Sequence, residues 1–235
     1  MVAAHTQRSL LAGVDPRLTR LVAARGLEGG ALAYLEELRW PGGVECPRCE
    51  SDKVGYLEVR KKHYCRECLY QFRVTAGTVL HNSHVSLPDW LLAVRLMLES
   101  ERGFPATRLQ AALGVTYKTA WFVGHRIRAA MSLSLLDRTL PVALARDAGQ
   151  APVGAGGEPW LDAAHDEAGS GWLLLRQLIA GDYHRPSIEH LTAYWNESRW
   201  RAAHPRGKDA FRETVKALLA AEPLPYDRLV QHEPA

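Results

Sequence analysis

The chain has 235 residues, of which 47% are hydrophobic and 23% charged; this is globular material, long enough for more than one small domain, and it excludes disorder along the whole length. The net charge of +3 is unevenly spread: residues 1 to 45 are balanced, residues 46 to 131 carry thirteen basic and seven acidic side chains, and residues 132 to 235 carry eleven and fourteen. No apolar run approaches the roughly 20 residues that span a bilayer, and the opening MVAAHTQRSLLAGVDPR lacks the apolar core and cleavage site of a secretory signal, so the expected location is the cytoplasm, with no membrane partner.

Residues 16 to 40 read as short helices, with Leu32, Leu35 and Leu38 near helical spacing and Pro41-Gly42-Gly43 stopping the pattern. Cys46-Pro-Arg-Cys49 and Cys65-Arg-Glu-Cys68 then form two CxxC pairs with 15 residues between them, the spacing of a zinc ribbon. Each pair offers two thiolates from one tight turn, and two such knuckles complete a closed tetrahedron around one structural Zn²⁺. A pair of disulfides would need an oxidising compartment, and a redox site needs one CxxC rather than two at matched spacing. The intervening KVGYLEVRKKHYC and the following LYQFRVTAGT alternate apolar and polar residues, as the strands of a ribbon require. His63, His81 and His84 lie nearby, but four thiolates saturate the ion, so these histidines are expected at the surface or against DNA.

In SLPDWLLAVRLMLES, Ser86 and Asp89 are spaced as a capping box, and Trp90, Val94, Met97 and Leu98 share one helical face. Thr107 to Leu113 forms a short helix closed by Gly114, and Thr116 caps the longer YKTAWFVGHRIRAAM. Helix, short glycine-containing turn, helix is the signature of a helix-turn-helix, whose second helix presents its first residues to base edges in double-stranded DNA. Those residues are Thr116, Tyr117, Lys118 and Thr119; His125, Arg126 and Arg128 are placed to reach phosphates, while Ala120, Val123 and Ile127 face the core. On the ribbon, Arg60, Lys61, Lys62, Arg66 and Arg73 supply further positive charge. Such a surplus fits a polyanion partner and also occurs on plain solvated surfaces. A protein-binding ribbon module is therefore the competing reading.

After Met131 the composition weakens, and RDAGQAPVGAGGEP suits a linker. Helical patterns return at Gly171 to Ile179, Ser187 to Arg201 and Asp209 to Ala221, the last with Phe211, Val215, Leu218 and Leu219 on one side.

The segments YLEELRWPGGVECPRCES, YCRECLYQFRVTAGTVLHNSHVSLPDWLLAV and LGVTYKTAWFVGHRIRAAM together resemble the bacterial insertion-sequence transposases that begin with a transposase zinc ribbon and end in a DDE-type, ribonuclease-H-like catalytic domain. WLLLRQLIAGDYHRPSIEHLTAYWNESRWR resembles the last part of that catalytic domain, with only about 40 residues separating it from the first match. The resemblance implies DNA transposition at element ends, using three carboxylates that hold two Mg²⁺ ions. This chain departs from that pattern. Asp147 in LPVALARDAG is a poor echo of the first acid, and the second has no counterpart. Aligning Trp172 puts Gly169 at the third acid and Asp166 at the family's asparagine, with Glu167 offset by two residues. Asp137, Asp147, Asp162, Asp166 and Glu167 read as solvated or linker carboxylates, so no catalytic residue and no Mg²⁺ site are expected. A rearranged acidic site that restores activity is the alternative.

The expected fold is mainly α with a small β zinc ribbon. It comprises an N-terminal helical segment (1–43), the zinc ribbon (44–85), the helix-turn-helix region (86–131), a linker or degenerate stretch (132–170) and a helical remnant of the ribonuclease-H-like domain (171–235). In that remnant Ile188, Leu191, Trp195 and Trp200 lack the sheet they normally cover. They are expected to pack on the N-terminal helices, pair with a second subunit as a homodimer, or leave a poorly ordered tail.

Overall fold

The computed structural model describes residues 16–100, 103–132, 190–204 and 207–230, and among these it is mostly helical with one small antiparallel sheet. The predicted linker, the candidate acids from Asp137 to Glu167, the helix predicted at 171–179 and Ile188 lie outside the described residues. The chain divides into two compact units, one drawn from Met1–Val94 and Phe211–Pro225, the other from Arg95–Ala210 and Tyr226–Ala235.

In the first unit, α1 (Pro16–Arg39) is one continuous helix where the sequence suggested several short ones. A helical glycine costs about 1 kcal/mol relative to alanine, so Gly26, Gly29 and Gly30 weaken the helix without breaking it. Burial of Ala31, Tyr34 and Leu35 at its C-terminal end offsets that loss. Tyr34 stacks on Phe211 at 6.3 Å. Pro41-Gly42-Gly43 ends the helix, and Gly43 has a φ of 119°, a conformation in which a side chain would be strained.

Three strands follow, in the order β1 (Val54–Leu57), β2 (Lys62–Cys65) and β3 (Gln71–Phe72). β1 and β2 are joined by a single 3₁₀ turn at Glu58–Arg60 and pair antiparallel from Val54 opposite Cys65 to Leu57 opposite Lys62. Gly55 stands opposite Tyr64, whose ring occupies the space a Cβ would need. β3 stops at Phe72, although the alternation in the sequence continues to Thr78. From there the Thr78 hydroxyl donates to the Thr75 carbonyl at 2.8 Å and accepts from the Leu80 amide at 3.1 Å, drawing the chain into turns instead of a ladder. Val74, Ala76, Val79 and Leu80 are nevertheless buried.

Helix α2 (Leu87–Glu99) begins at the predicted cap: the Ser86 hydroxyl donates to Asp89 Oδ2 at 2.6 Å and accepts from the Asp89 amide at 3.2 Å. Trp90, Val94, Met97 and Leu98 are buried as expected, and Leu91, Leu92 and Ala93 are buried with them. The Trp90 indole donates to Ser83 Oγ at 3.0 Å.

In the second unit, α3 (Ala106–Leu113) closes on Gly114, whose φ of 65° lets its amide reach the Gln110 carbonyl at 2.9 Å. Thr116 then caps α4 (Tyr117–Ala130) by accepting from the Thr119 amide at 3.2 Å. Ala120, Val123 and Ile127 are buried, as their spacing predicted. This unit also holds α5 (Leu191–Ala203) and α7 (Tyr226–Val230), whereas α6 (Lys208–Ala220) belongs from Phe211 onward to the first unit. Phe211, Val215, Leu218 and Leu219 of α6 are all buried. α5 buries Trp195 and Trp200 and lies against α4, a partner absent from the three alternatives the sequence offered.

Candidate metal centre and nucleic-acid surfaces

The first CxxC follows the Gly43 turn, and the second straddles the end of β2 and the turn into β3. In both knuckles the residue after the second cysteine takes a left-handed conformation, Glu50 with φ 59° and Leu69 with φ 59°. The chain thereby doubles back: the Cys46 amide reaches the Ser51 carbonyl at 3.0 Å, and the Cys65 amide reaches the Tyr70 carbonyl at 2.9 Å. These repeated turns direct four sulfur atoms to one point.

The four Sγ atoms all lie within 4.8 Å of one another. Cys46 to Cys68 is 3.6 Å and Cys49 to Cys65 is 3.5 Å, far beyond a sulfur–sulfur bond of about 2 Å. A tetrahedral ion with Zn–S bonds of about 2.3 Å sets sulfurs about 3.8 Å apart, so the donor set fits a structural zinc site. The cluster perturbs its own thiols in opposite directions. The Cys68 amide, against the effect of burial, brings Cys65 down to about 7. At Cys49 the pull of the Ser51 amide is outweighed by the Cys68 sulfur, burial and the sulfurs of Cys65 and Cys46, so its pKa rises to about 12. A cation bound among the four sulfurs would hold all of them as thiolates.

The sulfurs are also part of the core. Cys46, Cys65, Phe72 and Ala76 are buried together, with Trp40, Val44, Val54, Cys68 and Tyr70 packed around them. Beside this cluster His63 is buried, whereas the sequence suggested a histidine at the surface or against DNA. Its Nε2 is 2.8 Å from Glu36 Oε1, and its ring lies among those of Tyr56 at 4.9 Å, Phe72 at 5.6 Å and Trp40 at 5.7 Å. It ties α1 to the ribbon. Arg39 adds a second tie by donating to the Val74 carbonyl.

The proposed DNA contacts separate into two groups. Arg60, Lys61, Arg66 and Arg73 are exposed and Lys62 is half-buried; on α4, Thr116, Tyr117 and Lys118 are exposed and Thr119 is half-buried. Lys118 Nζ sits 4.3 Å from the centre of the Tyr226 ring. By contrast His125, Arg126 and Arg128, expected at phosphates, are 2%, 4% and 3% exposed. In this arrangement they face inward.

The reason is visible in their partners. Arg128 Nε donates to Glu197 Oε2 at 2.8 Å, and the Arg126 guanidinium lies 4.1 Å from the Phe122 ring, where burial lowers its pKa to about 10. His125 is enclosed by Trp121, His190 and Tyr194; burial first, then the charge of Arg128 and the neighbouring His190, depress it to about 2. The sequence carries no signal for the Glu197 pairing, which joins residues 69 positions apart.

A cleft of about 650 Å³ lies beside the ribbon, bordered by α1, by β2 and β3 and by the turns before α2. Its cations are Lys61, Lys62 and Arg73, and its carboxylates are Glu28 and Glu36, the latter already engaged by His63. Among the described residues no helix is long and apolar enough to cross a membrane.

Residues 27–71 match the transposase zinc-ribbon domain. That segment contains all four cysteines, β1 and β2, and ends on the first residue of β3. The chain is also similar to a protein of Halobacterium salinarum named as an uncharacterized protein in transposable element ISH50, with 33% identity over 97 residues. The match covers 40% of this chain and 32% of that relative, so the chain spans about a third of its length. No solved structure matches.

Proposed function

We propose that this chain is a transposase-related DNA-binding protein of an insertion-sequence family. The observation that carries the reading is the four-sulfur cluster inside a segment similar to the transposase zinc-ribbon domain. Cys46, Cys49, Cys65 and Cys68 hold one Zn²⁺. Bound there with sulfur at every position, the ion supplies structure by holding the two knuckles together.

The DNA-binding surfaces are the basic ribbon, through Arg60, Lys61, Lys62, Arg66 and Arg73, and the start of α4, with α3 and α4 as a helix-turn-helix. Support for the second comes from the Gly114 turn, the Thr116 cap and the exposure of Thr116, Tyr117 and Lys118. Helices α5 and α6 are read as a remnant of a ribonuclease-H-like domain. The protein targets element ends without cutting them, because the acidic positions that the resemblance implies lack counterparts in the sequence.

The test is duplex binding by the full zinc-loaded chain over a range of salt. Affinity should fall linearly with log salt as counterions are released, and Lys118→Ala with Tyr117→Ala should reduce discrimination between matched and unrelated duplexes by about tenfold or more. Binding that ignores salt would overturn the reading in favour of a protein-interaction ribbon. Mg²⁺-dependent nicking of element ends, lost on changing Asp147 or Glu167, would show the chain to be an active transposase instead.

A further inference from the structure

The tip of the β1–β2 hairpin carries one apolar side chain where a solvent loop has no need of any. Val59 is 99% exposed, more than any other large hydrophobic side chain among the described residues. It is followed directly by Arg60, Lys61 and Lys62, and preceded by one carboxylate, Glu58. None of the three cations has an ion-pair partner among the described residues. A fully hydrated valine beside three unneutralised cations suits a partner that is itself a polyanion with an apolar interior.

The tip is also built to hold its shape. One 3₁₀ turn closes it, the Lys61 amide returns to the Glu58 carbonyl at 3.3 Å, and Leu57 pairs with Lys62 in the ladder immediately behind. Lys61 takes a left-handed φ of 48°, which turns the chain sharply. The tip therefore presents one short branched side chain with Glu58 before it and three cations after it. Double-stranded DNA offers a slot of this kind. Its minor groove is about 6 Å wide, too narrow for a helix, and proteins that enter it combine cations along the walls with an apolar side chain at a base step. A protein partner is less suited, since a lone valine contributes little to the 1,000 Å² or so that a specific interface requires. Lys61 and Lys62 also border the cleft beside the ribbon, where Arg73 extends the cationic path.

From this placement we infer that the hairpin tip enters the DNA minor groove, with Val59 contacting a base step and Arg60 and Lys61 the flanking sugar-phosphate walls. The inference rests on the DNA-binding reading above and deepens it by assigning a groove and a deforming contact.

The experiment uses the full zinc-loaded chain and end-labelled duplexes that report affinity and bending by energy transfer. Val59→Ala should weaken binding about five- to tenfold and reduce bending while leaving the salt slope unchanged, because no phosphate contact is lost. Arg60→Ala with Lys61→Ala should lower that slope by about 2. Netropsin, which fills the minor groove, should compete. Zinc content verifies that each variant is folded. If the unaltered protein binds with a normal salt slope but Val59→Ala binds and bends identically, or netropsin has no effect, the inference is wrong and the DNA reading stands. If the unaltered protein shows no salt-sensitive binding, both fall.

Discussion

His125 has Trp121 at 4.1 Å and His190 at 4.9 Å between ring centres, and its Nε2 has no hydrogen-bond partner among the described residues. Burial and the nearby Arg128 and His190 hold it neutral, with a pKa of about 2 against roughly 6.5 in an unfolded chain. Protons therefore bind the unfolded state first. The stability associated with neutral His125 is fully present above about pH 6.5 and is lost as pH falls from there towards 2, by at most about 1.4 kcal/mol per unit. Replacing it with phenylalanine should flatten the acid limb of urea-unfolding stability between pH 6.5 and 4; an unchanged limb would show that the histidine is already hydrated or charged in the fold. At this scale the sequence was legible for the cysteines, whose spacing is itself the chemistry. It was not legible for His125, Arg126 and Arg128, because a cation on a helix reads the same whether solvent or another helix covers it.

At the scale of elements, local signals survived and distant ones were invisible. The Ser86–Asp89 cap, the Gly114 turn and the Thr116 cap each involve residues at most four positions apart, so their residue types specify them. What covers α4 is instead decided by α5. Glu197, fully buried, receives Arg128 of α4 at 2.8 Å and Arg201 of its own helix at 3.2 Å. Arg201 continues to the Met97 carbonyl at 3.1 Å and to the Ser100 carbonyl, satisfying the C-terminal end of α2. A single carboxylate thus anchors two buried guanidinium groups that join three segments. Removing it in Glu197→Ala takes the same carboxylate from two buried cations and should cost about 3–5 kcal/mol in thermal or urea unfolding. Arg128→Met combined with Glu197→Leu should recover much of that loss, since paired apolar replacements remove the desolvation penalty together. Equal destabilisation in both variants would indicate that packing around α5, and not the charge pairing, holds it to α4.

At the scale of the molecule, each unit has its own buried interior, but they depend on different things. The second unit relies on side-chain packing and the Glu197 network. Around the ribbon in the first unit, the metal-binding residues and the core are the same atoms: Cys46 and Cys65 are buried against Phe72 and Ala76, and the strands beside them are only two to four residues long. So short a sheet is marginal in water without further support. Zinc binding to such sites contributes on the order of 10 kcal/mol, all of it coupled to folding. Chelation should therefore act selectively. On adding a strong chelator, backbone amides from residues 44 to 80 should lose hydrogen-exchange protection, including the ladder between β1 and β2. Those of α3 and α4 should keep theirs, because all four cysteines belong to the first unit. Cys65→Ser should reproduce the effect, with zinc content well below one ion per chain. If chelation left the ribbon amides protected, the aromatic cluster around His63 would be sufficient to hold the strands. Loss of protection throughout both units at once would show that they unfold as a single cooperative body.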